Sequence, residues 1–417
     1  MKTKAAVLWL LCIVVLLAGG RVFYWIYGRT PVAQNPRVPS AVRNSVAALH
    51  SPIKWKQILP DKVTSSPVIG NDGSVYTTIF SGAIYALERS GALRWTYHVD
   101  SYDIPSALMR DAEGNLYFST TKKVFSLSAS GKKRWETDCA SQNGRIEQGA
   151  ALTRDVVYTT CGNNFAALDT ADGHALWKLP YPFIQYNTTP VVLRSGAIVV
   201  PEDWSLIALD RNGNPLWNFP PPRYLQRKPR PGLTVDQMFF SSAIAVGSDE
   251  SLYLGSSDGE FSCLSAEGVA NWTYDAGPLH GADFIASPVI TSDGTIIAVT
   301  TEMSVYAFTS AGDLRWSTHV GDPVKSLVQP SPVVDSDGAI YVLAAGKLIA
   351  LAPDGTKLSE LPLPSDAVTS PTLAPDGTLY IATDDKTLYA VQTTSKELMN
   401  SAWPKYQRDL SNSGSSF

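Results

Sequence analysis

After about residue 50 the chain breaks into short apolar runs, such as Val75-Tyr76 and Ile84-Tyr85-Ala86-Leu87, separated by Asp-Gly and Gly turns. No stretch there carries a convincing 3.6-residue period, so the pattern predicts β-strands and no helix. The runs recur in a fixed order. One unit reads Ser66-Pro67-Val68, Asn71-Asp72-Gly73, Val75-Tyr76, Ile84-Tyr85-Ala86-Leu87, Gly91 and Trp95; the unit from Ser287 repeats it to Trp316, that from Ser331 to Gly355 and that from Ser370 to Tyr389-Ala390-Val391. Weaker copies begin at Ser106, Gly149, Thr189 and Ser242.

Each unit spans roughly 40 to 45 residues and holds four short strands, the size of a propeller blade. Asp-Gly supplies the positive φ of a tight hairpin between the first two strands. The Tyr-Ala-Leu element is apolar because both of its faces meet other blades. The eighth unit, from Ser370, lacks the Gly-x-x-x-Trp element, while Ile53-Lys54-Trp55-Lys56 lies unassigned ahead of the first unit. The expected fold is therefore all-β: an eight-bladed β-propeller of four-stranded antiparallel blades. The N-terminal strand completes the last blade, which leaves no open ring edge.

The Gly-x-x-x-Trp spacing occurs at Gly91/Trp95, Gly131/Trp135, Gly173/Trp177, Gly213/Trp217, Gly268/Trp272 and Gly312/Trp316. On these motifs residues 51–398 resemble the pyrroloquinoline-quinone (PQQ)-type propeller repeat, a WD40-like repeat shared by quinoprotein dehydrogenases and BamB-like assembly factors. The tail, residues 399–417, carries Trp403-Pro404-Lys405-Tyr406, which resembles a Trp-Pro segment found beside such repeats. The resemblance implies the fold; it leaves activity open, because one architecture hosts unrelated functions.

Residues 1–27 add a targeting element. Lys2 and Lys4 precede an apolar run from Ala5 to Gly20, and apolar residues resume from Val22 to Tyr27. About twenty apolar residues can span a bilayer as one hydrophobic helix. Ala18-Gly19-Gly20 equally suits signal-peptide cleavage, so signal anchor and cleaved signal both stand. Either places the propeller in the periplasm or outside the cell, with an anchor held in the inner membrane. Cys12 follows Leu10 and Leu11, too bulky for a lipobox. Residues 28–50, with Pro31, Pro36 and Pro39, read as a linker.

Composition narrows the chemistry. The net charge of −4 offers no broad basic surface for nucleic acid. Trp95, Trp135, Trp177, Trp217, Trp272 and Trp316 share one repeated position and, with Trp55, are expected to dock as equivalent structural wedges between blades. Trp204 stands outside the repeat and is free to meet a ligand. Asp335-Ser336-Asp337-Gly338 lacks the closing Glu of a calcium loop and reads as turn chemistry, so no metal site is expected. Cys263 takes the place filled by Ala86, Ala167, Ala208, Ala307, Ala350 and Ala390, and is expected to be buried. Cys139 and Cys161 can form a disulfide, although spacing does not decide it. The adjacent cysteine pair of quinoprotein alcohol dehydrogenases is missing, as is any Cys-x-x-Cys-His haem motif.

The expected ligand or partner surface is the mouth of the central channel, lined by segments just ahead of each innermost strand. They contribute Asp103, Arg145, Glu147, Gln185, Asn187, His280, Asp283, Lys325, Gln329 and Asp366. A Pro- and Arg-rich insertion between Trp217 and Ser242, with Arg227, Lys228 and Arg230, suits a protein partner or anionic surface, or is a tolerated surface loop. None of the five histidines falls in a recognised catalytic triad motif.

These features favour a non-enzymatic envelope scaffold, contacting envelope proteins through its rigid loops and needing no cofactor. One alternative is a PQQ- and calcium-dependent dehydrogenase with Glu147, Asn187 and Asp283 at its cofactor. Another is a sensor or carbohydrate-binding module using Trp204 and the channel mouth.

Overall fold

A computed structural model describes residues 53–99, 108–120, 122–139, 149–162, 164–180, 189–201, 205–219, 242–257, 259–276, 283–323, 329–393 and 397–416. The expected N-terminal hydrophobic helix and linker lie outside the described residues. Among those described, no helix is long and apolar enough to cross a membrane.

The described strands form eight four-stranded antiparallel sheets. Blade one consists of Val68–Ile69, Val75–Ile79, Ala83–Leu87 and Leu93–His98, in sequence order from the innermost strand outward. Six further blades repeat this meander. Blade eight takes three strands from the C-terminal end, Thr372–Leu373, Thr378–Ala382 and Thr387–Gln392. Its outer strand is Ile53–Ile58, with Trp55 opposite Ala390. The sequence expectation of closure by the N-terminal strand holds.

Apolar clusters show that the ring is continuous. Val68, Tyr76 and Ile84 of blade one pack with Leu108, Phe118 and Phe125 of blade two. Leu379, Ile381 and Tyr389 of blade eight share a cluster with Tyr341 and Leu348 of blade seven. Ala382, Leu388 and Ala390 share another with Ile69, Val75 and Leu87 of blade one. The core is thus a set of sandwiches between neighbouring blades, so central strands are buried on both faces: Thr378–Ala382 is buried throughout.

One rule builds seven of the eight seams: a small residue in the third strand faces a tryptophan of the fourth. Ala86 pairs with Tyr76 on one side and Trp95 on the other, whereas Ala208 and Ala307 have Val199 and Ile297 in place of the tyrosine. The missing bulk lets the rings meet, with Tyr76–Trp95 centroids 5.8 Å apart and Trp55–Tyr380 centroids 5.7 Å apart. Cys263 fills the same position, between Tyr253 and Trp272, and is buried. Each tryptophan then lies on the glycine turn of the next blade. The Trp95 indole covers Gly131, and its Nε1–H donates to the Ala129 carbonyl at 3.0 Å. Trp55, Trp217, Trp272 and Trp316 donate likewise to Arg89, Ala266, Ser310 and Pro353, in each case the residue two before the glycine.

The wedges are less equivalent than their shared spacing suggests. Trp135 and Trp316 are buried, whereas Trp55, Trp95, Trp177, Trp217 and Trp272 are only half-buried. Trp135 also departs in its acceptor. Its Nε1–H donates at 2.9 Å to Thr170, three residues before Gly173, because the blade-three turn closes from Gly173 N–H to the Asp169 carbonyl and so holds one residue more. Trp177 keeps the usual acceptor, the Arg211 carbonyl at 2.8 Å, but sits farther from its glycine. A Cβ on Gly213 would lie 3.1 Å from the Trp177 ring, against 2.5 Å for Gly173 and Trp135. Within its own blade Trp177 meets two rings, Tyr158 at 6.0 Å and Phe165 at 5.9 Å. Both remain structural wedges; the local turn and neighbouring rings set how deeply each one sits.

The seam between blades seven and eight breaks the rule, because Ser359 faces Ala350 where a tryptophan would stand. Here the chain leaves the third strand of blade eight for the tail and makes no glycine turn into a fourth strand. Thr393 reaches the Tyr341 hydroxyl. The Glu397 carbonyl accepts the Ser336 N–H at 3.0 Å. Thr393 and Glu397 thus both meet blade seven, the seam that has no tryptophan.

Candidate functional site

A four-stranded meander gives the ring two distinct ends. First-to-second-strand hairpins and third-to-fourth-strand turns share one end, here the hairpin face. Connections from each outer strand to the next innermost strand share the other, the connection face. Innermost strands line the axial channel, and the channel side of each is an unpaired sheet edge.

The tail occupies that channel. It enters from the hairpin face, where Val334 N–H donates to the Pro404 carbonyl at 3.0 Å and Ile290 N–H to the Trp403 carbonyl at 2.7 Å. It then passes the innermost strands of blades one to four in turn. Ile69 N–H donates to Leu410, Arg110 N–H to Ser411, Leu152 N–H to Ser413 and Val192 N–H to Gly414, all through carbonyls within 3.0 Å. Six of the eight inner edges thereby have an amide paired by one segment.

Side chains deepen the fit. Lys405 is fully buried and its Nζ donates to the carbonyls of Tyr406 at 2.8 Å and Asp409 at 3.0 Å, and to Asn412 Oδ1 at 2.5 Å. Three acceptors match the three protons of an ammonium group. Burial pulls its pKa down to about 7, against the attraction of Asp409. Asn412 Nδ2 donates to the Ser66 and Leu108 carbonyls, and Gln407 Nε2 to the Ala150 carbonyl at 3.1 Å. Tyr406 and Thr189 share a hydroxyl contact of 3.2 Å. Ser66, Leu108, Ala150 and Thr189 stand one or two residues ahead of their innermost strands, so tail side chains span the depth of those short strands. Arg110 clasps it at blade two, donating to the Ile69 carbonyl through Nε and to Ser411 Oγ through Nη2. Sequence reading noted the Trp403-Pro404 segment, but nothing in that motif announced where it docks.

The expected channel-mouth residues divide into two groups. Asp103, Arg145, Glu147, Gln185, Asn187, Trp204, Arg227, Lys228, Arg230, His280 and Lys325 lie outside the described residues. Three are described. Gln329 is buried, with Nε2 2.8 Å from Met303 Sδ. Asp366 accepts the Gly346 N–H at 2.7 Å, clamping a loop. The Asp283 carbonyl accepts the Thr301 N–H at 2.9 Å. These three are held by neighbouring loops and form no common cluster in the described contacts.

The Asp335 turn does what its sequence suggests. Its buried carboxylate accepts the Asp337 and Ala339 N–H groups at 3.0 and 2.9 Å, and the Tyr341 hydroxyl at 2.9 Å. Burial pushes its pKa up to about 6 despite those donors. Asp169, Asp172 and His174 place ligand-type atoms within 4.8 Å of one another on the exposed turn of blade three. There Asp172 Oδ1 already accepts the His174 N–H at 3.0 Å and contacts Nδ1 at 2.7 Å. Turn geometry accounts for this group as it does for Asp335.

Cys139 and Cys161, left open by spacing, form a disulfide with Cα atoms 4.7 Å apart. It ties the end of blade two's outer strand to blade three at the connection face.

These features define a PQQ-like β-propeller whose channel is filled by its own C-terminal tail. The family described as outer membrane protein assembly factor BamB matches residues 120–226 and 223–403, more than half of the chain, and the chain belongs to it. Among solved structures the chain is similar to BamB from Moraxella catarrhalis, with 19% identity and a TM-score of 0.66 over 81% of this chain and 98% of that one. It is similar to the computationally designed Ika8 protein, with 12% identity and a TM-score of 0.63 over 81% and 98%. Streptogramin B lyase gives 15% identity and a TM-score of 0.50 over 82% and 99%. At these identities the structural likeness speaks to fold alone. No curated protein sequence matches the chain.

Proposed function

We propose that the protein is a non-enzymatic scaffold of the cell envelope that binds envelope proteins through the connection face of its propeller. The observation that carries this reading is the tail in the channel. With inner-edge amides paired by residues 403–414, the hairpin-face end of the channel is taken by the chain itself. Rigid blades then present the connection-face loops as the surface for partners. Membership of the BamB family supports an envelope role and protein contacts in general. The apolar segment of residues 1–27 supports attachment to the inner membrane with the propeller on the periplasmic side.

The test is purification of the intact chain from detergent-solubilised membranes under native conditions. Stoichiometric envelope proteins should accompany it, and alanine substitution of Arg227, Lys228 and Arg230 together should reduce their yield. A protein that always emerges alone contradicts the reading. Titration of the same material with PQQ plus calcium, followed by absorbance, tests the enzyme alternative: saturable binding at micromolar concentration would favour that alternative over the scaffold.

A further inference from the structure

The tail has the attributes of a ligand more than those of a ninth structural element. Its backbone carbonyls accept one amide from each of six inner sheet edges in turn, so recognition of the main chain comes from the ring. Its buried side chains, Lys405, Gln407 and Asn412, are read by hydrogen bonds to the ring and to one another. Ring closure does not rest on it. The N-terminal strand pairs with Thr387–Gln392, and the buried members of the clusters joining blades one to four, seven to eight and eight to one all come from the ring; Leu398 and Leu410 of the tail pack only at the margins of two of them. Trp403 and Met399 enter the clusters of blades four to seven, where they anchor the start of the tail.

The conformation of the tail is also moulded on the ring. Gln407, Arg408 and Asn412 adopt φ of 54°, 73° and 53°, half of the six non-glycine residues with positive φ among those described. L-residues seldom enter this region without outside support, and a free segment would not hold three of them at once.

We propose that the hairpin-face end of the channel is a sequence-selective peptide-binding site whose resident, separable ligand is the chain's own residues 397–417. The ligand class is a peptide with a Trp-Pro-Lys core, coiled by tight turns over residues 405–414. Lys405 supplies the internal knot, and Asn412 the contact to blades one and two. A second copy of the chain carries the same peptide and can offer it in trans.

The experiment uses the full chain with residues 394–396 replaced by a site-specific protease sequence. After cleavage, the released fragment should remain with the ring through gel filtration. It should then exchange with a fluorescein-labelled synthetic peptide of residues 397–417, seen as a saturable rise in anisotropy. A peptide carrying Lys405→Met should compete at least about tenfold more weakly, the loss expected for buried hydrogen bonds to a charged group. Three results would overturn the proposal. The ring unfolds on cleavage, as read by circular dichroism; the ring stays folded but neither retains the fragment nor binds the peptide; or the Lys405→Met peptide competes equally well.

Discussion

Trp316 rests against Gly355 of the following blade so closely that a Cβ on that glycine would lie 2.5 Å from the Trp316 ring. The indole Nε1–H reaches past it to the Pro353 carbonyl at 2.8 Å. One contact thus couples a buried aromatic surface, a backbone hydrogen bond and a turn with φ of 80°. Trp316→Ala should cost about 3–5 kcal/mol, the usual loss for a large aromatic deleted from a core. Gly355→Ala should destabilise as well, through both strain and overlap. Urea denaturation of the propeller checks both.

The seam between blades seven and eight predicts the opposite outcome. Ser359 Oγ is buried with no hydrogen-bond partner. Ser359→Ala removes an unsatisfied polar atom and should change stability by less than about 1 kcal/mol, with either sign. A loss comparable to that of Trp316→Ala would show that this seam is built like the other seven.

The disulfide makes a separate contribution. Cys139 and Cys161 are buried and separated by 22 positions in sequence. Replacing both with alanine should lower stability by about 2–4 kcal/mol, the common range for a closed loop of this size. Thermal unfolding of oxidised, reduced and substituted protein measures it; the reduced and substituted forms should agree.

Asp335 predicts a pH dependence. Its carboxyl titrates at 3.8 when exposed and at about 6 in the fold, where burial raises it. Between those values the folded chain holds more protons than the unfolded one, so stability falls as pH rises. The contribution is full below the unfolded value and lost above the folded one. Asp335→Asn should flatten the stability profile across this window. Lys405 has the reverse sign: burial lowers it from 10.5 to about 7, so its contribution grows as pH rises between those values. Stability measured across both windows separates the two groups.

Much of the ring was legible because its rules are local and repeated. Asp-Gly hairpins, the Tyr-Ala-Leu strand and the Gly-x-x-x-Trp spacing each report geometry within one blade. The same spacing could not show that Trp135 would be buried and Trp177 only half-buried, since depth depends on the turn and rings that meet each indole. The orphan strand at Trp55 needed only the missing fourth strand of blade eight to find its place. Cys263 could be placed because it shares a position with six alanines. The disulfide could not, since bridging depends on where two blades bring Cα atoms together. The docked tail was illegible for another reason: Lys405, Gln407 and Asn412 are common polar residues in an irregular segment, with no period to reveal burial. The burial of Gln329 against Met303 was hidden for a related reason, because order along the chain does not set the depth of a loop.

The account places partner contact on the connection face, and site-specific photo-crosslinking in intact cells tests this directly. A photoreactive residue at Gln185 or Arg230, in segments that join one blade to the next, should give discrete adducts with envelope proteins. The same residue at Ser90 or Asp172, on exposed turns of the hairpin face, should give none. Adducts from the hairpin-face positions alone, or from neither set, would contradict it.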